Sequence, residues 1–218
     1  MIEYYIVGSG GFSKEVLFLS MQTLNKEHVF KGFIDLNPEY ESLTCLDTKF
    51  SIIDESFFLK NIKPNKNINI YFAVGTPILL KKIIKKFESY ITPNLIHPNV
   101  IRHQSVEFGK GNIITAGCIF TVDIKVGNFN VFNLNTTIGH DTIIENFNVI
   151  NPGVNISGGV YVKENNLIGT NATILQYLNI GNNNIIGAAS LVNKNVDDYN
   201  VMVGVPAKSI KKVNHEGI

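Results

Sequence analysis

The chain has 218 residues, a net charge of +1 and two cysteines. That length supports one or two domains with a real core, and the balanced charge leaves no electrostatic footprint for nucleic acid or an acidic membrane. Cys45 and Cys118 lack metal-ligand spacing, no apolar run approaches the length of a membrane-spanning helix, and Gly8, Gly10, Gly11 and Lys14 interrupt any signal peptide, so a metal-free cytoplasmic protein is expected.

Residues 3–7 read as a buried strand, followed by GSGG at 8–11 and an amphipathic helix over 12–24 whose core candidates are Val16, Leu17 and Leu19. Residues 29–34 give a second strand that ends at Asp35. Strand, glycine turn, helix and strand open a Rossmann-like nucleotide-binding α/β unit. Residues 68–74 read as a further strand closed by Gly75, and Pro77 suits the first turn of a helix running to about residue 89. Lys81, Lys82, Lys85 and Lys86 on that helix read as a solvated face. Pro93 and Pro98 mark a transition over 94–100, which divides the chain into an α/β domain at 1–93 and a second domain at 94–218.

The second domain is organised by a strict repeat. Every sixth residue from Phe108 through Ile114, Phe120 and Val126 to Val192 is apolar, without insertion or slip. Helices repeat near 3.6 and strands near 2, so neither gives a period of six. A solenoid does: each six-residue unit is one short strand and one corner, and three units close a triangular coil of eighteen. Asn112, Asn130, Asn148, Asn166 and Asn184 recur at that larger period, each two residues before an apolar marker. They are placed on the inward face, where stacked coils would bring their amides roughly 4.8 Å apart in a hydrogen-bonded column. Cys118 also falls at an inward position and reads as a buried free thiol. The segment at 203–208 is expected to fold back along the coil.

Three features carry possible chemistry. The turn at Gly8, Gly10 and Gly11 lacks the third glycine of a dinucleotide fingerprint, since Ser13 stands there. It is either a tight turn followed by a strand-end Asp35, or a nucleotide site in which turn amides face a phosphate and Asp35 accepts from a ribose or base. His140, two residues after the inward Ile138, points outward from a corner and is followed by Asp141. It is a solvated histidine or a general base, the role an acyl transfer needs near neutral pH, with the carboxylate fixing its tautomer. Gly158 lies eighteen residues later, one coil up, where its N–H could serve an oxyanion. The adjoining corner column holds Pro152, Thr170 and Ala188, small enough at the last two to admit a thin ligand. His28, His97, His103 and His215 lie outside the repeat.

With these residues in view, the chain resembles the hexapeptide-repeat acyltransferases, which fold as left-handed parallel β-helices. More closely, it is similar to the subfamily of nucleotide-4-amino-sugar N-acetyltransferases and sialic acid O-acetyltransferases. The resemblance covers nearly the whole chain and rests on YIVGSGG (5–11), GFID (32–35), AVG (73–75), NLNTTIGHD (133–141), GTNATI (169–174) and VGVPAK (203–208).

The resemblance implies an acetyl-CoA-dependent transfer of acetyl to the amine of a nucleotide-linked 4-amino-deoxy sugar, for a surface polysaccharide or glycan such as O-antigen. His140 would be the base, polarised by Asp141, and Asn133 would line the acceptor site. The Gly158 amide would hold the oxyanion, with acetyl-CoA running past Thr170 and Ala188. Gly10, Gly11, Phe12, Asp35 and Gly75 would hold the nucleotide. Such proteins are homotrimers with the acetyl-CoA groove between adjacent solenoids. The chain departs from the pattern in three places. Val149 stands where many relatives have a second histidine near the CoA site. Phe12 stands where the glycine turn usually carries histidine, and Leu36 where some relatives have a second aspartate. The nucleotide (UDP, GDP or dTDP) therefore stays open. An O-acetyltransferase using the same base, and a non-catalytic sugar-nucleotide-binding β-helix, are the competing readings. A nicotinamide oxidoreductase stands further off, because Ser13 breaks the fingerprint.

Overall fold

The computed structural model describes residues 1–213. The α/β part comprises β1 (Ile2–Val7), α1 (Gly11–Thr23), β2 (His28–Asp35), β3 (Ser42–Cys45), β4 (Thr48–Asp54), α2 (Glu55–Asn61), β5 (Ile68–Phe72) and α3 (Pro77–Ile84). Its sheet runs β3-β4-β2-β1-β5. β1 is parallel to β2 and β5, β4 is parallel to β2, and β3 is an antiparallel edge. Aromatic rings fill both sides: Phe30 meets Tyr4 and Phe33 at 5.3 and 5.0 Å between centroids, while Phe58 meets Tyr5 and Tyr90 at 4.8 and 5.5 Å. Val16, Leu17 and Leu19 of α1 are buried as the periodicity predicts. The helix after Pro77 is shorter than expected. It ends at Ile84 and tightens into a 3-10 turn, Lys85–Phe87, which turns Phe87 into the core. β5 likewise stops at Phe72, short of residue 74.

From Leu95 to Val192 the chain winds as two-residue strands into a β-helix of three parallel sheets. Strands pair with those eighteen residues away, as Val131 with Val149, Thr137 with Asn155 and Lys125 with Ile143. The first face carries strands such as Ile113–Ile114 and Val131–Phe132, the second Ile119–Phe120 and Thr137–Ile138, the third Lys125–Val126 and Ile143–Ile144. The inward markers from Ile114 to Val192 are all at most 5% exposed, and each buried side chain contributes on the order of 2 kcal/mol. The asparagine column forms as the spacing predicts from Asn112 to Asn166, while Asn184 joins it through its backbone N–H, which donates to Asn166 at 2.8 Å. The side-chain amide of Asn130 donates to Asn112 at 3.2 Å, that of Asn148 to Asn130 at 3.1 Å, and that of Asn166 to Asn148 at 3.0 Å. The column also reaches beyond the residues read from the sequence, to Asn94 below and Asn200 above. Cys118 is buried inside the coil, and burial pushes its thiol up to about 11.

The coil begins one turn earlier than the repeat suggested. Residues 94–100 are not a transition, because Leu95–Ile96 and Ile101–Arg102 already pair with the coil above them. Arg102 occupies the marker position there, its guanidinium 5.5 Å over the Phe108 ring, and this polar residue conceals the turn from a hydrophobic count. At the other end, strand Asn200–Gly204 adds to the first face beside Ile185–Ile186, and Ala207–Lys212 folds back on it antiparallel. The expected fold-back of 203–208 is therefore a hairpin, with a cis Val205–Pro206 bond.

The α/β part packs on the first face. Ile113, Val131 and Val149, whose side chains point outward from the coil, share one core with Tyr4, Ile6, Val16 and Leu17. Val149 is 1% exposed there, which explains why an apolar residue occupies that position. The lysines of α3 and the turn after it form the solvated face expected of them, and two of them also make ion pairs. Lys81 bonds Glu164 at 2.8 Å and lies over the Phe147 ring, and Lys86 pairs with the buried Glu55 at 2.5 Å. Among the described residues no helix is long and apolar enough to cross a membrane.

Candidate active site

His140 and Asp141 sit on the corner between the second and third faces, opposite the face that the α/β part covers. Asp141 has φ 58°, a left-handed turn that short polar residues tolerate. The two neighbours do not diverge: His140 Nδ1 lies 2.7 Å from Asp141 Oδ2. A carboxylate only accepts, so Nδ1 carries the proton and Nε2 of the neutral ring keeps a free lone pair. The pair is exposed, 52% and 66%, so it contributes little stability; what it fixes is tautomer and orientation.

The imidazole lies directly on Gly158. A Cβ there would stand 2.5 Å from Nε2 and 2.6 Å from Cε1, so only glycine admits the ring. The Gly158 N–H donates to no acceptor among the described residues. A basic nitrogen and an unused amide donor thus adjoin on one corner. No other described histidine has this setting. His97 is buried and accepts from the Asn99 N–H, while His28 and His103 bond Asn25 and Ser105. His215 lies outside the described residues.

A second concavity, about 280 Å³, opens where β1, β2 and β5 end. Gly10, Asp35 and Gly75 line it together, as strand ends in such a sheet should. Gly10 caps α1 without a side-chain bond, and Gly11 and Phe12 open the helix beside it. The first-turn amides there carry the positive end of the helix dipole. Asp35 is held by the Ser9 hydroxyl and by the Asn37 N–H at 3.2 Å. Ser9, Glu55 and Thr76 also line this cleft and escaped the sequence reading. Ser9 and Thr76 stand next to residues that were singled out, and that adjacency was the available signal. The Phe12 side chain points elsewhere, into the core shared by α1 and the coil.

The remaining residues lie on the corner between the first and second faces. Asn133 is 8% exposed there and donates to Asn151 at 3.2 Å, while Thr170 and Ala188 are exposed above it. Within one chain the structure therefore assembles His140, Asp141 and Gly158. It assembles Gly10, Asp35 and Gly75 separately, and leaves Asn133, Thr170 and Ala188 on a third site. Among the described residues no group of three or more His, Cys, Asp or Glu could hold a metal ion.

No protein-family model matches the chain, and no curated protein matches it. Solved structures do. Perosamine N-acetyltransferase from Caulobacter crescentus, in complex with CoA and GDP-perosamine, matches with a TM-score of 0.86 and 23% identity over 96% of this chain and 97% of that one. The acetyltransferase domain of PglB from Neisseria gonorrhoeae matches at 0.86 and 24%, covering 96% and 100%. WeeI from Acinetobacter baumannii AYE matches at 0.85 and 26%, also covering 96% and 100%. The chain has their fold. The likeness to amino-sugar acetyltransferases read from the motifs is thus borne out in the architecture, over 96% of the chain.

Proposed function

We propose that this protein is an acetyl-CoA-dependent N-acetyltransferase acting on the amino group of a nucleotide-linked 4-amino-deoxy sugar, in the cytoplasm, for a surface glycan such as lipopolysaccharide O-antigen. The observation that carries the reading is His140 Nδ1 at 2.7 Å from Asp141 with Nε2 resting on Gly158. The PglB domain has also been solved with acetyl coenzyme A, and the Caulobacter enzyme with a nucleotide amino sugar.

In the proposed reaction the sugar amine attacks the thioester carbonyl, forming the C–N bond. The Gly158 N–H stabilises the oxyanion. His140 Nε2 takes the proton released by nitrogen, with Asp141 stabilising the imidazolium. Collapse breaks the C–S bond, and the imidazolium returns its proton to the departing thiolate, giving the acetamido sugar and CoA.

Residues 1–93 act as a Rossmann-like nucleotide-binding domain and 94–218 as a left-handed hexapeptide-repeat β-helix domain with a C-terminal tail. Gly10, Gly11 and Asp35, with Gly75, hold the nucleotide at the cleft, and the contribution of Phe12 is its backbone at the start of α1. The assembly is a homotrimer in this reading, and the layout supports a site shared between chains. The nucleotide cleft sits on the first-face side of the coil, and the His140 corner is on the opposite side. One chain cannot close its own site, whereas an adjacent coil can bring Thr170, Ala188 and Asn133 to the His140 corner.

The test is incubation of the protein with acetyl-CoA and UDP-, GDP- and dTDP-linked 4-amino sugars, following free thiol. Rapid release with one of them is expected and names the nucleotide. Silence with every amine, but turnover of sialic acid or a hydroxyl sugar, would replace N- by O-acetylation. No turnover and no CoA binding would leave a non-catalytic β-helix.

A further inference from the structure

We propose that Tyr177 is a specificity-determining residue for the acyl donor, its ring forming the contact surface for the thin apolar arm between the thioester and the phosphates. The inference rests on the functional reading above. Tyr177 lies on the same corner as the His140 site, one coil above Gly159, and its N–H donates to the Gly158 carbonyl at 3.0 Å. Its ring covers Gly159 so closely that a Cβ there would collide with it. His140 covers Gly158 in the same way from the coil below. Two consecutive glycines are thus each covered by a ring, the buried Gly158 by the imidazole and the half-buried Gly159 by the phenol, so the two rings stand side by side on this corner.

Tyr177 is also out of place by the rules of the coil. Its φ is 59°, a conformation that other corners give to Asp123, Asn135, Asn165, Asn171 and Asn183. Short polar residues tolerate it, and a bulky ring does so at a cost. The large residues Phe129, Phe147 and Tyr199 share it, but Phe129 and Phe147 are packed against the α/β core under α3 and stacked on each other at 5.8 Å, and Tyr199 is half-buried. Tyr177 has no such packing. It is 71% exposed, and its ring has no aromatic partner among the described residues. A costly ring that supports no core and borders the reacting corner fits a ligand contact.

Charge says which ligand. Up the corner from Gly158 come Gln176 and Tyr177, and then Lys194 on the next coil, roughly 10 Å above. Down the corner from His140 stands Asp123. A polyanionic donor whose carbonyl is at Gly158 runs its arm upward, past Tyr177 and toward the cation, rather than toward the carboxylates. An aromatic face suits the alternating methylene and amide groups of such an arm.

Calorimetric titration with CoA, sedimentation and steady-state kinetics on wild type, Tyr177→Phe and Tyr177→Ala test this. Tyr177→Ala is expected to weaken CoA binding about tenfold and raise the acetyl-CoA KM likewise, while the acceptor KM and the assembly stay unchanged. Tyr177→Phe should bind as wild type does, since the ring is what matters. Equal CoA affinity in the alanine variant, a shift in the acceptor KM instead, or a smaller assembly would overturn this inference alone. Wild-type protein that binds no CoA would overturn the functional reading and this inference together.

Discussion

The coil and the α/β part place their candidate chemistry on opposite relations to stability. In the coil, inward residues such as Ile138, Ile156 and Asn148 make the core, and the corners that carry His140 and Asp141 stand outside it. In the α/β part the candidate site is the backbone itself, where β1, β2 and β5 end, and the same glycine turn that opens the cleft also packs the sheet. Gly8, at φ 113°, comes so near β5 that a Cβ would lie 2.7 Å from the Ala73 carbonyl oxygen. Chemistry mounted on side chains at the corners can be removed without touching the fold, whereas chemistry made of strand-end backbone cannot.

The sharpest break of that comparison is His140→Ala. It is expected to lower kcat by about 1,000-fold while thermal unfolding and assembly stay as in wild type, measured by thiol release and calorimetry. A parallel loss of stability would mean that the corner is part of the core after all. Gly8→Ala should do the reverse in the other region, costing about 2 kcal/mol in denaturant unfolding and weakening nucleotide binding in the same variant. Asn148→Ala tests the coil interior. It leaves the Asn166 backbone and side-chain amides without their acceptor, so about 2 kcal/mol of stability should go, with kcat nearly unchanged at a temperature where the protein is folded.

The smallest effect lies where the two regions meet. Partial burial pushes the Glu164 carboxyl up, but its bonds to Lys81 and Asn146 together outweigh that and hold it below its ordinary 4.5. A depressed carboxyl contributes stability that is fully present above the unfolded value and is lost as pH falls through the lowered one. The half-exposed Lys81–Glu164 bridge should therefore give less than about 1 kcal/mol, disappearing below about pH 4.5, and Lys81→Ala should flatten that acid limb of the unfolding curve.

Legibility follows the same division. The coil declares itself because each six-residue unit meets one steric demand, an apolar side chain into a narrow triangle. It goes unread only where Arg102 takes a marker position and lies over Phe108. The α/β part gives up β1, α1, β2 and β5, whose apolar patterns are long. It conceals β3, β4 and α2. The β3–β4 hairpin turns through Leu46 and Asp47, both left-handed at φ 49° and 57°, in place of the asparagine–glycine pair that would announce such a turn. Asp54 does cap α2, by accepting the Phe57 N–H at 2.9 Å, but seven residues are too few to show a helical period. His140 beside Asp141 was legible as a pair. The left-handed turn at Asp141 and the ring resting on Gly158 are properties of stacked coils and needed three dimensions. The covered face could have been found, because Ile113, Val131, Val149, Leu167 and Ile185 form an outward apolar column at the eighteen-residue period.

The eighteen-residue pairing makes length a discrete quantity in this part of the chain. Deleting one residue between Ile138 and Ile156 would shift each following marker out of register with its partner in the coil below. Ile156 would no longer meet Ile138, and Gly158 would no longer lie against the imidazole. At the top of the coil one turn closes in sixteen residues, with Val201 beside Ile185 and the Asn200 N–H on Asn184, whereas the turn from His140 to Gly158 keeps the full eighteen. The distance from histidine to glycine is therefore set by counting along the chain, and drift in chain length is filtered out before it can reach the reacting groups.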